Sequence, residues 1–141
     1  MRVILDTNIL LSALLSSAGA PAKLIDAWER NKFMLVACDQ LVAELREVAG
    51  RPFLRRRLRG SVAESLAAGV RDFSLFIHDL PSGPRAPDSK DSYLLALAQA
   101  AAAEFLVTGD KQLIALRHYR STRIVPPSAM IAALKARSAD E

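Results

Sequence analysis

Short β-type runs alternate with helical stretches along the whole chain, and that order restricts the fold more than any other feature. Residues 2–5 (RVIL), 33–37 (FMLVA), 74–77 (SLFI), 104–107 (EFLV) and a shorter run at 123–125 read as strands. Between them apolar residues return at helical spacing. One helix is predicted over 8–17, and a second opens at Pro21 and runs to about Arg30, with Leu24, Ile25, Ala27 and Trp28 on its apolar side. A third starts at Asp39, has Leu41, Val42, Leu45 and Val48 as its inner face, and is stopped by Gly50 and Pro52. The arginine-rich piece that follows reads as a short surface helix, and residues 61–71 as another. The prolines of PSGPRAP forbid regular structure between Leu80 and Asp88. Helices are then expected from Asp88 to about Ala103, over 111–117, and from Pro126–Pro127 to about Ala136. Strands joined by helical crossovers pair in parallel, so the expected fold is a three-layer α/β/α sandwich with a central parallel sheet of four to five strands.

At 141 residues the chain fits a single domain, residues 1–137, with 138–141 as a frayed tail. No apolar run reaches the roughly 18–20 residues of a membrane helix. Asp6 and Asn8 interrupt the apolar start, and no small-residue cleavage site follows a basic opening, so no signal peptide is expected. The lone cysteine, Cys38, excludes an internal disulfide and fits a reducing cytosol, which makes the expected location cytoplasmic. A net charge of +4 and a pI near 9.6 point to an anionic partner without identifying it.

The acids carry more information. Asp6 directly follows the first strand, in DTN; Asp110 follows the fourth, in TGD; Asp88 and Asp91 flank a helix start in DSKD; Glu44 borders the inner face of the third helix. Singly, each has an ordinary explanation: helix capping for the aspartates, a boundary carboxylate for Glu44. Their joint placement is more specific. Ligands of open parallel sheets bind outside the carboxyl ends of the strands, where chain order puts Asp6 and Asp110. Asp91 and Glu44 join them if their helices start near the same crevice. Carboxylates gathered there repel by roughly 4 kcal/mol per pair at 4 Å and an effective dielectric of 20, so raised pKa values or a bound cation must offset the crowding. Oxygen ligands without His or Cys suit Mg²⁺ or Mn²⁺ and argue against zinc. Such ions share their shell with substrate phosphates, the arrangement for phosphodiester hydrolysis. Thr7, Asn8 and Thr108 could orient ligands or waters, or serve only as turn and cap residues.

The strand with DTN at the start, the acid in the helix after strand two, the D-x-x-L-L-A-L-A helix from Asp91 and the strand closing in TGD together resemble the PIN-domain family over about residues 2–131. The resemblance extends to its toxin-component, VapC-like group. It implies an α/β/α sandwich, an Mg²⁺- or Mn²⁺-dependent endoribonuclease, a small protein antitoxin as partner, and a homodimer. It also implies that Asp6, Glu44 and Asp91 take the three main acidic positions and Asp110 the fourth, more variable one, with Asp88 where additional acids often occur. Ser89 and Lys90 stand where a more acidic run is common, a departure that would weaken cation affinity.

Arg51, Arg55, Arg56, Arg57 and Arg59 form either a solvated face, a contact for the RNA backbone, or a seat for an acidic antitoxin segment. With no aromatic residue read among them, no stacking platform is expected. His78 and His118 are isolated from the acids, and Trp28 reads as packing or interface. Competing readings are a PIN-like domain of weak activity that binds RNA or protein, and a DNA nuclease, since cation geometry does not discriminate the sugar. A phosphoaspartate receiver lacks its acidic pair after strand one, and a haloacid-dehalogenase-type phosphatase lacks its second Asp, where Asn8 stands.

Overall fold

Val3, Ile4 and Leu5 have no solvent exposure, which suits β1 (Arg2–Leu5) to the middle of a sheet covered on both faces. The structure, a computed structural model, describes residues 1–140. β1 pairs in parallel with β2 (Met34–Cys38) on one side and β4 (Phe105–Val107) on the other. Outside β2 lies β3 (Leu75–Ile77), and outside β4 lies β6 (Thr122–Val125), both parallel; a two-residue strand, β5 (His118–Tyr119), closes the far edge antiparallel to β6. The order is β3-β2-β1-β4-β6-β5. The chain thus builds outward from β1 in one direction, returns through the middle, and builds outward in the other. The reversal opens a crevice between the carboxyl ends of β1 and β4, the switch point at which such sheets bind ligands.

The helices are α1 (Thr7–Leu15), α2 (Ala20–Glu29), α3 (Asp39–Ala49), α4 (Pro52–Arg55), α5 (Val62–Asp72), α6 (Ser92–Ala101), α7 (Lys111–Ala115) and α8 (Pro127–Asp140). α1 packs on α2, α3 and α5, while α6 lies against β1, β2, β3 and β4. α6 is apolar all round, with Tyr93 through Ala98 buried, because it sits under four strands at once. Each fully buried leucine there, such as Leu94 or Leu97, contributes roughly 1.5–3 kcal/mol. No single described helix is long and apolar enough to cross a membrane.

The five expected strands and the sandwich are present; β5, two residues long and too short to carry an alternating pattern, adds a sixth, antiparallel strand to the four to five expected, and three helix ends also differ. The helix expected from Asp88 begins at Ser92 instead. The Asp88 side chain accepts from Lys90 N at 3.0 Å and caps a 3₁₀ turn, Ser89–Asp91, so the chain enters α6 through that turn. α6 also stops earlier, at Ala101: Ala102 takes a left-handed conformation (φ 49) and Ala103 N returns to Ala98 O at 3.0 Å, a Schellman-type close made without glycine. At the other end, the frayed tail expected over 138–141 is corrected for residues 138–140. α8 continues through Asp140 because Lys135, Ala136 and Arg137 favour helix up to its last turn and Arg137 pairs with Glu104 at the entry to β4. Glu141 lies outside the described residues.

Candidate active site

Asp6 closes β1 and starts α1, and both carboxylate oxygens are held. Oδ1 accepts from Thr7 N at 2.7 Å and Oδ2 from Thr108 Oγ1 at 2.7 Å, while the Asp6 amide donates to Val107 O at 2.9 Å. Thr108 also accepts from Asp110 N at 3.1 Å, so one hydroxyl links the two strand-end acids. Asp110 caps α7, accepting from Gln112 N at 2.8 Å. Asp6 and Asp110 therefore each cap a helix and each stand just beyond the carboxyl end of a strand.

Glu44 is half-buried in the middle of α3. Its Oε2 accepts from the Tyr93 hydroxyl at 2.6 Å, which joins α3 to α6. Asp91, at the end of the 3₁₀ turn, completes the ring. Asp6, Glu44, Asp91 and Asp110, with Thr7, Asn8, Leu11 and Val48, line one cleft of about 160 Å³ at the switch point. Two larger hollows, of about 650 and 640 Å³, lie elsewhere: one apolar between α2 and α5, one between α2 and α8 with Lys23, Lys32 and Lys135 at its edge. Neither gathers acids as the smaller cleft does.

The crowding is visible in the acids themselves. Burial pushes the Asp6 carboxyl up, its bonds from Thr108 and Thr7 pull it down, and the charges of Glu44 and Asp110 push it up again, for a net rise. Asp91 is pushed up to about 7, first by burial, then by the Asp6 charge, by a hydrogen bond and charge from Asp110, and by Asp88. Burial and the bond to Glu44 also push the Tyr93 phenol up, so it stays a proton donor at any ordinary pH.

These residues fit a hard divalent cation. The lining offers carboxylate and hydroxyl oxygens and no imidazole or thiol, and the buried Thr7 Oγ1 has no hydrogen-bond partner. Among the described residues no three His, Cys, Asp or Glu side chains close around a common point, so the acids rim an open cleft rather than a cage.

Of the remaining candidates Asn8 lines the cleft and the others lie away from it. Asn8 stands exposed on the first turn of α1, its amide close to Gly109. Asp88 is exposed, does not line the cleft, and acts on it only through its charge on Asp91. Cys38 is buried and its thiol pushed up, which keeps it protonated. His78 lies against Phe76, His118 is in β5, and Trp28 lines the apolar hollow. Arg51 is paired with Glu47 at 3.2 Å, whereas Arg55, Arg56, Arg57 and Arg59 are exposed with no acidic partner among the described residues. The expectation of no aromatic residue in that stretch is corrected: Phe53 stands within it, exposed, with the Arg57 guanidinium over its ring at 4.4 Å. Tyr93 was also not singled out, because a tyrosine in so apolar a helix reads as core; its position two residues after Asp91 was the available signal.

Fold and cleft together define an α/β/α protein with an acidic, cation-suited crevice at the switch point of a parallel sheet. Residues 2–112 match the PIN domain family, and the chain belongs to it. It is 28% identical over 119 residues to the uncharacterized protein MJ1680 of Methanocaldococcus jannaschii, covering 83% of this chain and 76% of that protein. The crystal structure of Mycobacterium tuberculosis VapC20, described as a sarcin-ricin loop cleaving toxin, has the same fold. It matches with a TM-score of 0.56 over 86% of this chain and 98% of that one, at 15% identity.

Proposed function

We propose that this protein is an endoribonuclease dependent on Mg²⁺ or Mn²⁺, and that it serves as the toxin of a toxin–antitoxin pair, a cytoplasmic homodimer restrained by a small antitoxin. The observation that carries the nuclease reading is the convergence of Asp6, Glu44, Asp91 and Asp110 on one cleft, with the Asp91 carboxyl pushed up to about 7. Membership of the PIN domain family supports it, and the likeness in fold to a protein described as a sarcin-ricin loop cleaving toxin is the support for the toxin role.

Asp6, Glu44, Asp91 and Asp110 would hold the cation, which when bound supplies Lewis-acid activation of water and neutralises charge on the phosphate. The chain's own residues do the positioning. Thr108 and Thr7 fix the Asp6 carboxylate, and Tyr93 fixes Glu44. Thr7 and Asn8 line the cleft, and the exposed Asn8 amide can orient a water or a phosphate oxygen. Arg51, Arg55, Arg56, Arg57 and Arg59 supply contacts to the RNA backbone. Choice of RNA over DNA rests on the family resemblance. The test is incubation with labelled RNA and DNA of equal sequence in Mg²⁺, Mn²⁺ or EDTA. RNA should be cut only with the cation, and Asp6→Asn or Asp91→Asn should each lower the rate by about two orders of magnitude or more. Undiminished cleavage by a folded double variant would overturn the reading, and equal cleavage of both substrates would make the enzyme a nuclease without sugar preference.

A further inference from the structure

Phe53 is 58% exposed in the middle of the arginine stretch. Leu54 and Leu58, one turn apart, pack against the core, and that choice turns Phe53 and Arg57 outward together. The Arg57 guanidinium lies 4.4 Å from the Phe53 ring centre. Beside this pair, Arg55 and Arg56 line an open concavity with Pro52, and Arg56 is steadied by Nε donating to Pro52 O at 3.2 Å. Arg55, Arg56 and Arg57 have no acidic partner among the described residues. The ledge follows α3 directly, and Glu44 and Val48 of α3 line the acid cleft. α4 packs against α3.

We propose that this ledge seats single-stranded RNA beside the cleft, one unpaired base stacking on the Phe53–Arg57 pair while Arg55 and Arg56 take the flanking phosphates. The inference rests on the ribonuclease reading and adds to it a stacking seat for one base outside the cleft. An aromatic face with adjacent cations and no base-reading groups is how proteins hold single strands without regard to sequence. A duplex keeps its base faces stacked and offers the ledge only its backbone.

Binding is measured for the wild type in EDTA, to a single-stranded RNA and to a duplex of equal length, over a range of salt, and repeated for Phe53→Ala, Phe53→Leu, Phe53→Trp and the double variant Arg55→Ala/Arg56→Ala. Phe53→Ala and Phe53→Leu should each weaken single-strand binding about five- to a hundredfold, the size of one lost base stack. Salt dependence and duplex affinity should stay unchanged, and Phe53→Trp should restore binding. The arginine variant should weaken both RNAs and flatten the salt slope by up to about two phosphate contacts. Single-strand affinity unchanged in Phe53→Ala, lost equally for the duplex, or restored by Phe53→Leu would overturn the stacking role and leave Phe53 a contact for protein or for its own fold. The cation-dependent cleavage assay keeps the two ideas apart. Cleavage without any effect of Phe53 on binding sinks the ledge alone, whereas ring-dependent binding without cleavage by the wild type sinks the ribonuclease reading.

Discussion

The Tyr93 hydroxyl donates to Glu44 Oε2 at 2.6 Å, so the helix beneath the sheet holds an acid contributed by a helix on the far side of the cleft. Tyr93→Phe removes that donor and keeps the ring. Glu44 is half-exposed and can turn to water, so the expected stability loss is modest, about 1–2 kcal/mol. The expected loss in cleavage is larger, about tenfold, because the carboxylate no longer has one orientation. Thermal melts and single-turnover cleavage of RNA check it, and a variant as active as the wild type would mean that Glu44 is held by other means.

Thr108 serves two acids with one hydroxyl, so Thr108→Val should cost more than an ordinary surface hydroxyl would. Asp6 Oδ2 loses its donor while staying buried, a penalty of about 1–3 kcal/mol. Thr108→Ser keeps both bonds and should recover most of the loss in denaturant midpoint. Val keeps the methyl and Ser keeps the hydroxyl, so destabilisation by Ser as large as that by Val would show that the loss does not follow the hydroxyl.

Asp6 separates capping from crowding. Its carboxyl is raised by burial and by Glu44 and Asp110, so removing the charge relieves the apo protein. Asp6→Asn should leave the melting temperature in EDTA equal or higher, while Asp6→Ala, which gives up the bonds to Thr7 and Thr108, should lower stability by about 1 kcal/mol or more. In excess Mn²⁺ the wild type should gain stability with concentration and Asp6→Asn should lose most of that gain. A wild type indifferent to Mn²⁺, together with an Asp6→Asn protein less stable in EDTA, would make the carboxylate purely structural.

Asp91 sets a pH dependence. Its carboxyl rises from 3.8 to about 7 on folding, so the native state holds that proton more tightly than the unfolded chain. The stabilisation from this group is fully present below about 3.8 and is lost as pH rises through about 7. In EDTA the melting temperature should therefore fall from pH 5 to pH 8 more steeply for the wild type than for Asp91→Asn. A cation must displace the same proton, so Mn²⁺ affinity should rise by up to about tenfold per pH unit below 7 and level off above it. Titration calorimetry at several pH values reads this directly, and an affinity flat between pH 5.5 and 7 would contradict it.

Which parts of this were legible beforehand follows from where each signal resides. Asp6 and Asp110 could be placed from chain order, because each immediately follows a strand and the sheet's polarity puts strand ends together. Glu44 and Asp91 could be nominated but not joined, since no sequence pattern reports how far apart two helices begin. Tyr93 and Phe53 were hidden by context, one by an apolar helix that makes any aromatic read as core, the other by a run of arginines that makes any neighbour read as solvated. β5 escaped notice because its turn at Arg120 and Ser121 carries neither Gly nor Asn, and Arg120 adopts φ 52 regardless. The extent of α8 depended on a pairing between Arg137 and Glu104, a tertiary contact with no local trace.

β4 lies between β1 and β6, and its position has a bearing on how the protein is made. Asp6 emerges from synthesis about a hundred residues ahead of Asp110, and the slot beside β1 that brings them together stays empty until β4 arrives to fill it. Until then Asp6 lacks both Thr108 and the Val107 carbonyl that receives its amide. A growing chain therefore carries Asp6, Glu44 and Asp91 well before it owns a cleft, and any product truncated ahead of residue 105 should be chemically silent, however well its first three strands hold together.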